Sequence, residues 1–258
     1  MNKIDWKQYV DYIFCLHYLP NNRLNEITKT LTNIGINVND SKFFSFAYDY
    51  EHCIFKNQYE EMNNMSSDFI RLNSSWGDIV FDDNNNLGHG FYIGLITYRI
   101  LKIAQYFNYD RIIIFEDDIK FIKDTDYIVK AMNFIKEQNF DMCMCQTWFI
   151  DAYHGIKSYL INAGCKDFGN DMFLKVDKPM GIYGGGFIIL TNKGINKIIN
   201  YFESNNLTAA LDDFDGLRDK MNLSTLFALK PLCVQGMMFN WSDEEIYEYN
   251  ANMNINEY

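Results

Sequence analysis

The side chains with the clearest chemical potential are three consecutive acids, Glu116, Asp117 and Asp118. They follow the apolar run RIIIF at residues 111–115, whose composition is typical of a strand buried on both faces. Acids at the exit of a buried strand destabilise the fold unless they are paired or bound to a cation. Because ligands of open α/β sheets bind outside the carboxyl ends of the strands, this position favours a ligand site.

The same triplet predicts a site for a divalent cation. Alternation along a strand puts Glu116 and Asp118 on one face and Asp117 on the other. Two carboxylates on one face are suitable ligands for Mg²⁺ or Mn²⁺, hard cations that also bind the phosphates of a substrate. A solvated acidic turn without a ligand fits the same spacing, and the sequence leaves that alternative open.

A second group of acids, Asp212, Asp213 and Asp215, lies in the segment LDDFDGL at residues 211–217. One of these carboxylates is a candidate general base, which would accept the proton of a reacting hydroxyl. The structural alternative is that they are acids of a first helical turn, where the helix dipole stabilises negative charge.

Three glycines, Gly184, Gly185 and Gly186, stand directly before the apolar run FIIL at residues 187–190. Without side chains, they either let a substrate approach the backbone closely or merely loosen the entrance of the strand. The sequence does not choose between these two roles.

Spacing excludes several other kinds of site. The run G-x-G-x-x-x-G at residues 88–94 superficially looks like a dinucleotide-binding fingerprint, which needs an apolar strand directly before it. Here the polar segment DDNNN at 82–86 stands in that place, so a dinucleotide site is not predicted. The four histidines contain no i, i+4 pair and no H-E-x-x-H, so they form no zinc hydrolase motif. Six cysteines are too few for a disulfide framework in 258 residues and predict reduced, mostly buried thiols.

The composition is that of an acidic globular protein, with 48% hydrophobic residues. The 23 basic and 34 acidic residues give a net charge of −11, which opposes binding to nucleic acid and to anionic lipid. The amino terminus lacks the basic-then-apolar order of a signal peptide, and no stretch approaches the ~18 apolar residues of a membrane span. We therefore predict a cytoplasmic protein that has no transmembrane segment and binds no nucleic acid.

Strands and helices alternate along the chain. We predict strands at residues 11–16, 42–48, 111–115, 140–148 and 187–190, and helices at 22–35, 94–106 and 127–136. A further helix, capped by Thr191 or Asn192, is predicted to run to residue 202. Residues 50–86 give no clear pattern, and 151–178 are predicted to form a long, functional loop. This order predicts an α/β fold with a mainly parallel or mixed sheet flanked by helices.

Four segments, in this order along the chain, resemble glycosyltransferase family 25, which contains bacterial lipooligosaccharide galactosyltransferases. They are IFCLHYLPNNRLNEITKTLTNIGI, IIIFEDDIKF, YGGGFIILTNKGINKII and KPLCVQGMMFNWSDEEI, and the resemblance spans about residues 12–246. The family usually carries Gly-Glu-x-Gly-Cys and Ser-His upstream of the acidic triplet, where this chain has NNLGH at 85–89.

The resemblance implies a GT-A fold in one catalytic domain over residues 1–246, with a frayed tail at 247–258. Its Rossmann-like nucleotide-sugar half would cover about 1–125 and its acceptor half about 126–246. The implied reaction transfers a sugar, galactose first among the candidates, from a UDP-sugar to a hydroxyl of a glycan, glycolipid or glycoprotein, with inversion. Through such an acceptor the protein would lie at the inner membrane.

The resemblance also implies roles for individual residues. It assigns donor binding to Leu16, Arg23, Glu116 and Asp117, and it assigns binding of the metal (Mn²⁺ or Mg²⁺) to Asp118 and Glu116. The catalytic residue would be Asp212 or Asp213. The acceptor would bind at Gly184, Gly185 and Gly186.

Two alternatives stay open. The missing Ser-His favours a binding protein that kept the fold and recognises a glycan or nucleotide sugar without turnover. A metal-dependent nucleotidyltransferase is disfavoured, because LHYLPNNR at 16–23 is not a phosphate loop rich in glycine and basic residues.

Overall fold

The computed structural model describes residues 3–17, 23–48, 89–121, 123–146, 161, 164–176, 185–204 and 220–235. Residues 50–86, Gly184, the aspartates of the segment 211–217 and the tail 247–258 lie outside these ranges. In chain order the strands are β1 (Tyr12–His17), β2 (Phe44–Tyr48), β3 (Arg111–Glu116), β4 (Ile119–Phe121), β5 (Met142–Met144), β6 (Lys166–Asp167), β7 (Phe173–Val176), β8 (Phe187–Thr191), β9 (Thr225–Ala228) and β10 (Cys233–Gln235).

The helices of the described ranges are α1 (Leu24–Asn33), α2 (His89–Tyr106), α3 (Thr125–Glu137) and α4 (Asn192–Ser204). A single 3₁₀ turn, Trp6–Gln8, precedes β1. None of the described helices is both long enough and apolar enough to cross a membrane.

The central element is an eight-stranded sheet in the order β2-β1-β3-β8-β5-β9-β7-β6. Strand β1 pairs in parallel with both β2 and β3, and β5 pairs in parallel with β9. Strand β8 is inserted antiparallel between β3 and β5, so its amino end lies beside the carboxyl ends of both neighbours. The predicted α/β fold with a mixed sheet is confirmed. Strands of both predicted halves, 1–125 and 126–246, share this one sheet.

Alternate residues of the central strands face two separate hydrophobic cores. On β3, Ile112 and Ile114 pack on the side of α2 and α4, whereas Ile113 and Phe115 pack on the side of α1 and α3. Helices therefore cover both faces of the sheet, which explains why RIIIF is apolar without interruption.

The ends of the helices follow from local chemistry. The side chain of Asp124 accepts a hydrogen bond from the backbone N–H of Tyr127 (2.7 Å) and caps the start of α3. The hydroxyl of Thr191 accepts from the N–H of Gly194 (3.3 Å) at the start of α4, as the sequence predicts. After α1, Gly35 has φ +94°, the left-handed backbone that ends helices and favours glycine.

At the edge opposite the acidic triplet, a buried carboxylate holds the sheet to α4. Asp141 Oδ2 accepts from Lys197 Nζ (2.7 Å) and from the backbone N–H of Ser224 (2.9 Å), and Lys193 Nζ lies 3.2 Å from Oδ1. Burial alone would raise the pKa of Asp141, but these hydrogen bonds outweigh it and lower that pKa. Asp141 is therefore ionised at neutral pH and stabilises the fold in that form.

Three sequence predictions were wrong in detail. The loop predicted at 151–178 contains β6 and β7, and β7 pairs antiparallel with β9 at the far side of the sheet. Phe173 and Leu174 of β7 are fully buried, but the apolar run that contains them, at 172–174, has only three residues and gives no clear strand pattern. Within residues 140–146, the described part of the strand predicted at 140–148, the strand covers Met142–Met144. Helix α2 begins at His89, five residues before the predicted start.

Candidate functional site

The antiparallel insertion of β8 brings several distant segments to one edge of the sheet. In register, Leu16 of β1 lies beside Glu116 of β3, and Phe115 lies beside Phe187 of β8. The backbone N–H of Glu116 donates to the carbonyl of Gly186 (3.0 Å). The acidic triplet, the end of β1 and the glycines before β8 therefore meet at this edge, which we call the carboxyl edge.

A buried contact between a histidine and an aspartate joins the end of β1 to the acidic triplet. His17 Nδ1 lies 2.6 Å from Asp117 Oδ2, and the two side chains are only 2% and 8% exposed. Sequence reasoning missed His17. The signal was a polar residue ending a buried strand, but only the parallel pairing of β1 with β3 shows that it contacts the acids.

Arg23 joins the two aspartates. Its Nη1 lies 3.5 Å from Asp117 Oδ1 and 3.5 Å from Asp118 Oδ2, and the side chain is 38% exposed. A guanidinium carries five N–H donors, so Arg23 can contact both carboxylates and still present donors to a ligand. The structure thus brings together three of the predicted site residues: Arg23, Asp117 and Asp118.

The alternation of side chains between the two faces of β3, which was predicted to continue through Asp118, ends at Glu116. Strand β3 stops at Glu116, and residues 117 and 118 form a turn before β4. Because a turn has no period-two geometry, Asp117 and Asp118 do not diverge to opposite faces but contact the same guanidinium. The opposite-face prediction for these two aspartates is therefore wrong.

The carboxylate of Glu116 lies directly against the glycines before β8. A Cβ atom added to Gly185 would lie 2.9 Å from Glu116 Oε1. The backbone N–H of Gly186 donates to Oε1 of Gln146 (3.0 Å), a side chain that is 1% exposed and follows β5. The glycine segment is thus held in place and leaves room for Glu116. Sequence reasoning also missed Gln146, since a lone glutamine after a strand carries no spacing signal.

The first residues of the fourth family-like segment lie beside the same turn. Strand β10 pairs antiparallel with β4, which places Gln235 opposite Ile119, the residue that follows Asp118. The N–H of Leu232 donates to the carbonyl of Cys145 (2.9 Å), which ties this segment to the end of β5. Residues more than 110 positions apart in the chain therefore flank the acidic turn.

Two buried thiols lie within the electrostatic field of the triplet. Burial, followed by the charges of Asp117, Glu116 and Asp118, raises the pKa of Cys15 well above its ordinary value. Burial, followed by Asp118 and Glu116, does the same for Cys233. Both thiols are therefore neutral and unreactive, which fits the predicted structural role of the cysteines. All five cysteines in the described ranges are buried.

The side chains of the edge fit a divalent cation only in part. Within the described residues, no group of three or more His, Cys, Asp or Glu side chains is arranged to hold a metal ion. Asp118 and Glu116 supply hard oxygen ligands, and Mg²⁺ commonly uses only one or two carboxylates together with substrate phosphates. The edge thus fits a cation whose coordination is completed by a phosphate ligand.

The other predicted site residues have different positions. Leu16 packs in the hydrophobic core, so it offers the edge only its backbone. Gly185 and Gly186 lie beside Glu116, and their acceptor role stays a prediction. Gly184, Asp212 and Asp213 lie outside the described residues.

Comparison with known proteins gives only distant similarities. No protein-family model matches the sequence, and no curated protein matches it either. The fold is similar to the crystal structure of A197 from STIV (TM-score 0.38, 11% identity), over 88% of this chain and 86% of that one. It is also similar to mouse xyloside xylosyltransferase 1 in its apo form (TM-score 0.37, 11% identity), over 83% and 76% of the two chains. With such scores, neither similarity bears on function, and the resemblance to glycosyltransferase family 25 stays a prediction.

Proposed function

We propose that this protein is a glycosyltransferase that moves a sugar from a UDP-sugar to a hydroxyl of a glycan, glycolipid or glycoprotein acceptor. The observation that carries the proposal is the meeting of Arg23, Asp117 and Asp118 at the carboxyl edge, beside a glutamate and a glycine backbone. This is the position where open α/β sheets bind their ligands. The order of the four family-like segments supports the same reaction.

The charges at the edge explain why a metal ion belongs to the proposal. The three carboxylates of the triplet carry −3 and Arg23 carries +1, so the edge by itself repels a diphosphate. We propose that Asp118, assisted by Glu116, holds Mn²⁺ or Mg²⁺. When bound, such an ion neutralises the diphosphate that leaves with the sugar bond.

The chain's own residues would orient the donor. Arg23 would direct its free N–H donors at the phosphates, because a guanidinium matches phosphate geometry. The buried pair of His17 and Asp117 would act as a positioning pair, since it fixes the carboxylate that Arg23 contacts. Because Gly185 has no side chain, the carboxylate of Glu116 would keep its place at the donor site.

The transfer step itself needs a base. The acceptor oxygen would form a bond to the anomeric carbon while the bond from that carbon to the diphosphate oxygen breaks. The hydroxyl proton would pass to Asp212 or Asp213, and UDP would leave with the bonding electron pair. Attack from the side opposite the leaving group inverts the anomeric centre. Galactose is the first donor to test, and a cytoplasmic location at the inner membrane is part of the same proposal.

A donor-turnover assay tests the proposal. UDP release from a panel of UDP-sugars, including UDP-galactose, is measured with Mn²⁺ and with EDTA. We expect metal-dependent release, reduced at least about 100-fold in Asp118→Asn. The matched control is Asp126→Asn, an exposed acid in the first turn of α3, which should keep wild-type release. If UDP release is the same with EDTA as with Mn²⁺, or the same in Asp118→Asn as in the wild-type protein, the proposed role of the metal is refuted.

A second candidate is a binding protein without turnover. The contact of Arg23 with both aspartates favours it, because this cation already compensates part of their charge. Such a protein would bind UDP or a UDP-sugar in calorimetry with no release of UDP in the assay above. Any metal-dependent turnover removes this candidate.

A further inference from the structure

A large groove lies outside the carboxyl edge, between α1 and the segment that joins β4 to α3. Its volume is about 890 Å³, which falls within the range of roughly 300–1,000 Å³ typical of ligand sites. The charged residues among its lining are Lys3, Lys29, Lys120, Lys123, Glu26 and Asp124. We call it the lysine groove.

The charge of the lysine groove is opposite to that of the protein. Four lysines against two acids leave a local charge of about +2, whereas the whole chain carries −11. One of the two acids, Asp124, already accepts the N–H of Tyr127 as the cap of α3. Lys3 and Lys29 are exposed, and within the described residues they form no ion pair. The local charge of the groove therefore favours an anion, although the chain as a whole is acidic.

The lysine groove begins next to the proposed transfer site. Helix α1 starts at the residue after Arg23, and Lys120 follows Asp118 by two positions. The lining runs along α1 from Glu26 to Asn33, eight residues or about 12 Å of helix. A ligand that extends away from the carboxyl edge along α1 would enter this groove.

We propose that the lysine groove binds the anionic groups, phosphate or carboxylate, of an oligosaccharide acceptor. The inference rests on the proposed transfer function and deepens it by naming the acceptor class. A concave groove fits a chain-like ligand, whereas an anionic membrane would meet a flat or convex basic surface. The acceptor would thus contact the amino-terminal half of the protein as well as the predicted half at 126–246.

Calorimetry at low ionic strength tests the inference with trigalacturonate, a trisaccharide with three carboxylates, and with maltotriose, a neutral one. We expect the wild-type protein to bind trigalacturonate but not maltotriose. In the double variant Lys3→Glu/Lys29→Glu, the affinity for trigalacturonate should fall at least about fivefold. The matched control is Lys130→Glu, an exposed lysine of α3 outside the groove, which should change the affinity less than twofold. Both altered lysines are exposed, and circular dichroism confirms that the variants fold.

Several results would overturn the inference. One is a loss of trigalacturonate affinity in the Lys130→Glu control that equals the loss in the double variant. Another is binding of maltotriose as tight as that of trigalacturonate. A third is binding to phosphatidylglycerol vesicles without any binding of trigalacturonate. UDP titration of the same variants separates the two proposals. If the wild-type protein binds trigalacturonate but not UDP, the transfer function is refuted, while the groove remains a binding site for an anionic oligosaccharide that is not an acceptor.

Discussion

The replacement Gly185→Ala tests the contact between the glycine segment and Glu116 without disturbing the core. The new Cβ would lie 2.9 Å from Glu116 Oε1, whereas ordinary contact begins at 3.4 Å, so the carboxylate must move by about 0.5 Å. The displaced atom is the far end of a flexible side chain, and Gly185 has no positive φ. We therefore expect a change of less than about 0.5 kcal/mol in the free energy of unfolding, since no buried contact is lost.

The same displacement should be costly for ligand binding. A carboxylate that helps to hold a metal and a diphosphate loses its geometry when it moves by this distance, and we expect UDP affinity in Mn²⁺ to fall about tenfold, or about 1.4 kcal/mol. Urea unfolding and UDP calorimetry measure the two quantities on the same sample.

A double-mutant cycle isolates the cause. In a Glu116→Ala background the atom that the alanine would displace is absent, so Gly185→Ala should have no further effect on UDP affinity. An equal loss in both backgrounds would show that the alanine acts through the backbone and refute the contact. Unchanged UDP affinity in Gly185→Ala alone would remove Glu116 from the donor site.

Three further predictions concern other parts of the molecule. Gly194→Ala should lower the free energy of unfolding by about 3 kcal/mol or more in urea, because its Cβ would overlap the backbone oxygen of Asp141. The fold lowers the pKa of Asp141 below its unfolded value of about 3.9. The stability that the ionised carboxylate provides is therefore complete above that value and is lost as the pH falls through the lower folded pKa. Asp141→Asn should thus be less stable at pH 7 and lose less stability than wild type between about pH 4 and pH 2, which urea unfolding at each pH measures. Asn at Asp212 or Asp213, but not at Asp215, should reduce transfer by about 10²–10⁴-fold with unchanged UDP affinity, and wild-type transfer in all three would place the base elsewhere.

The central strands and the helices that pack on them were predictable because their signals are local. The run RIIIF has the composition of a strand buried on both faces, and the apolar spacing of α1, α3 and α4 is helical. Gly35 and Thr191 mark helix ends through chemistry that a few neighbouring residues contain. Short strands at the edge of the sheet, such as β6 and β7, give too few residues for a pattern.

The carboxyl edge was predictable only in outline. The acidic triplet is recognisable from its place after an apolar strand, but the partners of its members depend on tertiary register. His17 reaches Asp117 because β1 and β3 are parallel, and Gln146 reaches Gly186 because β8 runs antiparallel beside β5. The lysine groove forms between segments about 90 residues apart in the chain, so no local sequence pattern predicts it.

The most direct test of the proposed site is anomalous diffraction from crystals grown with UDP and Mn²⁺. We predict a manganese peak within coordination distance, about 2.2 Å, of a carboxylate oxygen of Asp118, with the diphosphate between the ion and Arg23. A manganese peak away from the carboxyl edge, or UDP bound elsewhere on the protein, would contradict the assignment of this edge as the donor site.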